Sequence, residues 1–246
     1  MKSLKASNTY AVVDLETTGT NLDGSQRIIQ FACVLVEDGQ IVNQFSTLIN
    51  PLRPLSPEVE KLTGLKQKDL KKAPSFDEVA ASIYALLQGT IFVAHNIQFD
   101  YRFLNLELER VGYPALELKG IDTVQLAQIL LPTQLSYRLG DLGKALKIEH
   151  DHPHHADSDA YVTAKLLLLL LAKLKELPRD LLVTLNKLAG ELVYDTGTCF
   201  KEALAQKDET EVLDADLLQV AGIILKRPHF ESGAKLTMAY PLTEQE

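Results

Sequence analysis

The chain has 246 residues, 46% hydrophobic and 24% charged, enough apolar material for one well-buried domain with some appended structure, so disorder is not expected. A formal charge of −8 and an isoelectric point near 5.3 exclude the basic field of a protein that coats long duplex DNA. Cys33 and Cys199 lack any C-x-x-C or C-x-x-H companion, residues 1–8 are polar, and the longest apolar run is the six leucines at 166–171. A disulfide framework, a cysteine zinc site, a signal peptide and a span of about 20 residues are therefore not expected, and a cytoplasmic protein is.

Residues 10–15 are apolar and β-branched and break at Thr18-Gly19, which predicts a strand. Residues 28–36 and 41–49 follow as a hairpin, because Asp38-Gly39 between them supplies the positive φ angles of a tight turn. A proline-punctuated loop covers 51–57, and residues 58–62 form a short helix ending near Gly64. Residues 76–87 repeat apolar side chains at helical spacing and Gly89 stops them; residues 90–94 are then a short buried strand. Phe99, Phe103 and Leu106 predict a helical stripe, and Asp122 caps a further helix that runs to Leu131 before Pro132. Residues 139–146 and 156–177 are helices, the second stopped by Pro178. Three leading strands followed by alternating strands and helices predict an α/β fold, a mixed sheet with helices on both faces. Beyond a boundary near Pro178 the expectation is a helical extension to about Ala205, a polar and acidic patch at 206–211 and an irregular C-terminus.

Three segments carry chemistry. In Asp14-Leu15-Glu16-Thr17-Thr18-Gly19 the two acids lie at i and i+2 on a strand, so both leave one face with Cα atoms roughly 6.6 Å apart, and Leu15 points into the core. Their unequal lengths let them converge on one cation; the bland alternative is an alternating solvated strand. In His95-Asn96-Ile97-Gln98-Phe99-Asp100 a buried strand meets a helix, where Asn96 as N-cap and Asp100 in the first turn need no chemistry to explain them. In Pro153-His154-His155-Ala156-Asp157-Ser158-Asp159-Ala160, the last acid opens the leucine-rich helix. Four of the six histidines lie at 150–155, so a zinc cluster is an alternative, although no cysteine joins them.

Together the three segments resemble, in order and spacing, the motifs of the DEDDh 3′→5′ exonucleases, DnaQ-like members of the ribonuclease H-like superfamily; the resemblance covers roughly residues 8–175. They look most like the N-terminal exonuclease domain of DinG-type helicases of Gram-positive bacteria, with the polymerase III epsilon subunit and the PolC exonuclease as more distant relatives. The stretch at 177–204 resembles the connection between that exonuclease and its helicase. This implies an exonuclease domain at 1–178 on a mixed five-stranded sheet, and a helical linker at 179–246 leading to a helicase region. No G-x-x-x-x-G-K-[ST] phosphate loop occurs, so the helicase ATPase is not expected in this chain.

The resemblance further implies two divalent cations, Mg²⁺ or Mn²⁺, with Asp14 bridging them, Glu16 and Asp159 completing one and Asp100 helping to hold the other. Two such cations would offset half the formal charge. His154, five residues before Asp159 and on the loop preceding the helix, is the expected general base, since an imidazole accepts a proton near neutral pH. Leu15, Thr17 and Thr18 through the local backbone, Asn96, and Leu65 and Phe99 as wedge and stacking groups are the expected substrate contacts. The expected substrate is a single-stranded DNA 3′ end. The alternatives are an exoribonuclease of the RNase T or oligoribonuclease type, and a catalytically silent binding module.

Overall fold

The structure, a computed structural model, describes residues 8–207 with their side chains and the backbone of 217–220 and 223–226. Strand β1 (Tyr10–Thr17) is followed by β2 (Ile28–Glu37) and β3 (Gln40–Leu48). The β2–β3 turn takes φ 48° at Asp38 and 77° at Gly39, the left-handed pair that a two-residue hairpin requires. Helices α1 (Pro57–Thr63), α2 (Gln67–Leu70) and α3 (Phe76–Leu87) lead to β4 (Ile91–Ala94), then α4 (Ile97–Arg110) and β5 (Gly120–Asp122). The remaining helices are α5 (Thr123–Leu130), α6 (Leu139–Leu146), α7 (Ala156–Glu176), α8 (Arg179–Leu188) and α9 (Thr198–Leu204), with one 3-10 turn at Ala189–Glu191.

The five strands form one mixed sheet in the order β3-β2-β1-β4-β5, antiparallel across β3, β2 and β1 and parallel across β1, β4 and β5. Period-2 alternation along β1 sends Ala11, Val13 and Leu15 into the core beneath α3 and α4, and Val12 into the core beneath α5 and α7. Burial on both faces explains why these strands read as nearly continuous apolar runs. β1 pairs with β4 only through Tyr10, Ala11 and Val12, so its second half runs on past the parallel ladder beside β2 alone. Asp14 and Glu16 stand on that projecting half, on the face of α7.

Asp122 caps α5 by accepting from the amides of Val124 and Gln125. The helix expected from Phe99, Phe103 and Leu106 forms with Phe103 buried, but its stripe is corrected at the other two positions. The buried line of α4 is Ile97, Tyr101, Leu104 and Leu108 at i, i+4, i+7 and i+11, while Phe99 and Leu106 flank it half-buried. The helical extension is also broken rather than continuous. Gly197, at the start of α9, is where the two parts meet closely: a Cβ there would lie 2.6 Å from the Ala189 carbonyl oxygen. α8 and α9 do not stand apart: Leu182, Cys199, Phe200 and Ala203 share the α7 core. Between them, Gly120 donates to Asp195 Oδ2 at 3.0 Å, Asp195 N donates back to the Gly120 carbonyl at 2.8 Å, and Asp122 N donates to Thr196 Oγ1 at 2.9 Å. These bonds cover the β5 edge.

The irregular C-terminus is corrected in part: β6 (Leu217–Val220) and β7 (Ile223–Lys226) pair antiparallel as a separate ribbon. The polar N-terminus at 1–7 and most of the acidic patch at 206–211 lie outside the described residues. Among the described residues no helix is long and apolar enough to cross a membrane.

Candidate active site

The site forms where β1 outruns β4. Asp14 and Glu16 leave the same face of β1, and α7 lays Asp159, from its first turn, against them. One carboxylate oxygen from each of the three lies within 4.8 Å of the others, the one such group of metal-binding spacing among the described residues. It contains none of the histidines at 150–155, so the zinc alternative has no geometry behind it. Asp100, on the first turn of α4, is outside this tight triad but buried beside it, and its carboxylate accepts hydrogen bonds from its own amide and that of Leu15. That amide is free to turn inward because Leu15 lies past the last β1–β4 pair.

Packing four carboxylates together has an electrostatic cost. Burial, then the charges of Asp100, Asp159 and Glu16, hold Asp14 well above the usual carboxylate range. Burial also raises Asp100, and Glu16 is pushed up to about 8 by burial and then by Asp159 and Asp100. Such a cluster is poorly suited to bare water and well suited to a hard divalent cation, whose ligands are oxygens and whose charge cancels the repulsion.

α7 is aimed by a residue that the motifs do not include. Gln30 of β2, directly opposite Glu16, is buried, accepts from the Ala156 amide at 3.1 Å and donates to Asp157 Oδ1 at 3.2 Å. No side chain of its own loop caps α7, so Gln30 serves from the sheet. A polar residue inside the apolar run of β2 is the sequence signal that could have found it. Gln30→Leu should leave the Ala156 amide unsatisfied, costing about 1–3 kcal/mol by thermal or denaturant unfolding, and should weaken metal binding through Asp159.

The loop before α7 engages Asp159 twice, from His150 Nε2 to Oδ1 at 2.6 Å and from the His154 backbone amide to Oδ2 at 3.3 Å. The imidazole on Asp159 is thus that of His150, which the motif reading passed over and no local spacing marks. His154 is exposed on a turn with φ 64°, and only its backbone reaches Asp159. His155 occupies the N-cap position of α7; its Nε2 lies 3.4 Å from where a Cβ on Gly64 would be. His95 is structural: Nε2 meets the Tyr137 carbonyl at 2.8 Å and Nδ1 the Thr123 hydroxyl at 2.9 Å, and burial lowers its pKa.

The remaining expected contacts fall out unequally. Asn96 is exposed at the N-cap position of α4, but with φ 76° and no side-chain cap bond, so the capping expectation is corrected. Thr17 Oγ1 donates to the Gly19 carbonyl, and Thr18 Oγ1 donates to Gln26 Oε1 while accepting from the Arg27 amide, so both hydroxyls shape the β1–β2 loop. Phe99 is half-buried against Phe103. The side chain of Leu15 lies in the core, leaving only its backbone near the carboxylates. Leu65, expected as a wedge, packs with Ile29 and Leu70 at 9% exposure, and the exposed apolar side chain of this segment is Leu62 at 59%.

The Exonuclease family profile matches residues 11–167. The chain belongs to the exonuclease family. It is 37% identical to the 3′-5′ exonuclease DinG of Bacillus subtilis (strain 168) over 203 residues, 82% of the chain and 22% of that protein. It thus spans about a fifth of that relative's length. E. coli Exonuclease I in complex with a dT13 oligonucleotide superposes with a TM-score of 0.63 at 23% identity, over 72% of this chain and 44% of that one. The nuclease domain of 3′hExo, a DEDDh family member bound to rAMP, does so with 0.60 at 21% identity, over 68% and 94%. The mixed sheet of the chain matches the ribonuclease H-like fold of these two nucleases.

Proposed function

We propose that this exonuclease domain hydrolyses the 3′-terminal phosphodiester of single-stranded DNA and releases nucleoside 5′-monophosphates. The observation that carries the reading is the convergence of Asp14, Glu16 and Asp159 within 4.8 Å, with Asp100 beside them, at the open end of β1. Asp14, Glu16, Asp159 and Asp100 would together hold two divalent cations, Mg²⁺ or Mn²⁺. Bound there, the ions would supply charge neutralisation at the phosphate and a more acidic water. His154, on the exposed turn ahead of Asp159, takes the proton of that water at a ring nitrogen. Its position on a loop lets the ring approach once substrate fills the site.

Backbone at Thr17, Thr18 and Leu15 and the exposed side chain of Asn96 hold the terminal nucleotide, and the half-buried ring of Phe99 offers a stacking edge. The dT13 bound by Exonuclease I favours single-stranded DNA as the substrate; the rAMP bound by 3′hExo keeps an exoribonuclease as the second reading. Residues 1–178 form the nuclease, 179–246 lead toward a helicase region in a longer protein, as the length of the DinG relative suggests, and the setting is the cytoplasm. The test is a cleavage ladder from 5′-labelled DNA and RNA of one sequence. Stepwise 3′ shortening of DNA, abolished by a chelator and blocked by an unhydrolysable 3′-terminal linkage, is expected. Cuts within circular single-stranded DNA would count against an exonuclease, and faster loss of RNA would select the second reading.

A further inference from the structure

Outside the carboxylate cluster, the most strongly built polar feature is a cavity of about 270 Å³ flanked by Arg27, Arg53 and Arg110. Glu107, on α4, is 3% exposed in its side chain and accepts from Arg110 Nε at 2.8 Å and Nη2 at 3.1 Å, with Arg27 Nη1 3.6 Å away. Arg27 Nη1 also donates to the carbonyls of Gly24 at 2.7 Å and Gln26 at 2.6 Å, and Arg53 Nη1 donates to the Ser25 carbonyl. Each guanidinium is therefore held by one end. Among the described residues, Nη1 of Arg110 and Nη2 of Arg27 take no hydrogen-bond partner.

Among the described residues the carboxylates lining the cavity are Glu107 and Asp77, so three guanidiniums face two acids on a chain whose net charge is −8. The like charges are felt: the Arg27 guanidinium is lowered first by burial and then, against the help of Glu107, by Arg110 and Arg53. Three guanidiniums anchored before any ligand arrives, with donor groups left over, form an anion receptor whose ordering cost is largely met by the fold.

Its position ties it to the nuclease site. The Arg27 amide donates to Thr18 Oγ1 and the Thr18 amide to the Arg27 carbonyl, both at 2.9 Å, and Thr18 is the second residue after Glu16 on the same strand run. By strand geometry the Arg27 backbone lies roughly 10 Å from that of Glu16, within reach of the same bound strand. Glu107 and Arg110 belong to the same helix that carries Asp100.

We infer that this cavity binds an internal phosphate of the substrate strand, upstream of the 3′-terminal linkage. It rests on the nuclease reading and adds a second point of attachment. Strand length, and not base identity, then sets affinity, since a phosphate contact positions without specifying. A strand too short to reach the arginines binds through the carboxylate site alone.

The experiment measures anisotropy of 5′-fluorescent oligodeoxythymidylates, a dinucleotide and a decanucleotide, on full-length chain carrying Asp14→Asn and Mg²⁺, over a chloride series. Arg53→Gln is the first variant, since Arg53 is exposed and its one bond is to a carbonyl. Decanucleotide affinity should fall about 5–20-fold, and the slope of log affinity against log salt should shrink by about 0.7 for the phosphate lost. Dinucleotide affinity should not change. The double variant Glu107→Gln/Arg110→Gln removes the buried pair together and should give the same length-dependent loss, with folding checked by its melting curve. Equal weakening of both oligonucleotides, or no weakening of the longer one, would overturn the inference. Failure of the nuclease reading is separately visible, as intact decanucleotide after incubation with the Asp14 protein and Mg²⁺.

Discussion

Asp14→Asn is expected to lower metal-supported hydrolysis by about 10²–10³-fold or more, the scale seen when one preorganised electrostatic partner of a transition state is removed. The same substitution should raise the melting temperature of the metal-free protein. Asp14 is held far above its ordinary pKa by burial and by three neighbouring acids, so the charged form that the metal needs is the form the fold resists. Each kcal/mol of repulsion relieved should appear as roughly 2–4 °C in a chain of this size.

A pH series checks the sign. Asp14, Glu16 and Asp100 are raised on folding, so the folded state binds protons more tightly than the unfolded chain does. Their contribution is fully present below the ordinary carboxylate pKa and is lost as pH rises. For Glu16 the window runs from 4.5 to about 8. Metal-free protein should therefore melt progressively lower across that interval, and saturating Mg²⁺ should flatten the trend, because the cation takes the place of the protons. A fall in metal-free melting temperature on Asp14→Asn would assign Asp14 a structural role instead.

The second large effect separates three histidines. His154→Ala should cost about 10²–10⁴-fold in kcat, as the loss of a positioned general base does, and excess metal should not restore it. The acid limb of the parent's pH–rate profile should flatten in the same variant. His155→Ala should stay within a few-fold, since that ring lies over Gly64 and touches no carboxylate of the cluster. His150→Ala should act through Asp159, whose Oδ1 it holds at 2.6 Å, and raise the metal concentration needed by about 10–100-fold, with recovery at high Mg²⁺. Equal, mild losses for His154 and His155 would remove His154 as the base. A metal-independent loss confined to His150→Ala would transfer the role to the ring that the structure already places on Asp159.

Local rules made much of the framework legible without coordinates. Asp38-Gly39 specified a two-residue hairpin because few residue pairs accept two left-handed conformations in succession, and the turn has them. Pro178 ended α7 because it has no amide to continue the ladder. Asp14 and Glu16 had to share a face because a strand repeats every two residues, and both join the cluster. What rests on partners distant in the chain was not readable in this way. The meeting of Asp159 with β1, the bond from Gln30 to the start of α7, the ring of His150 on Asp159 and the three arginines around Glu107 depend on how α4 and α7 settle on the sheet. Likewise Leu62 and Leu65, alike in sequence character, were divided into surface and core only by what packed over them. Periodicity states which side chains leave a segment together; the distance between segments is set by side-chain volume and register across the core, which no single segment encodes.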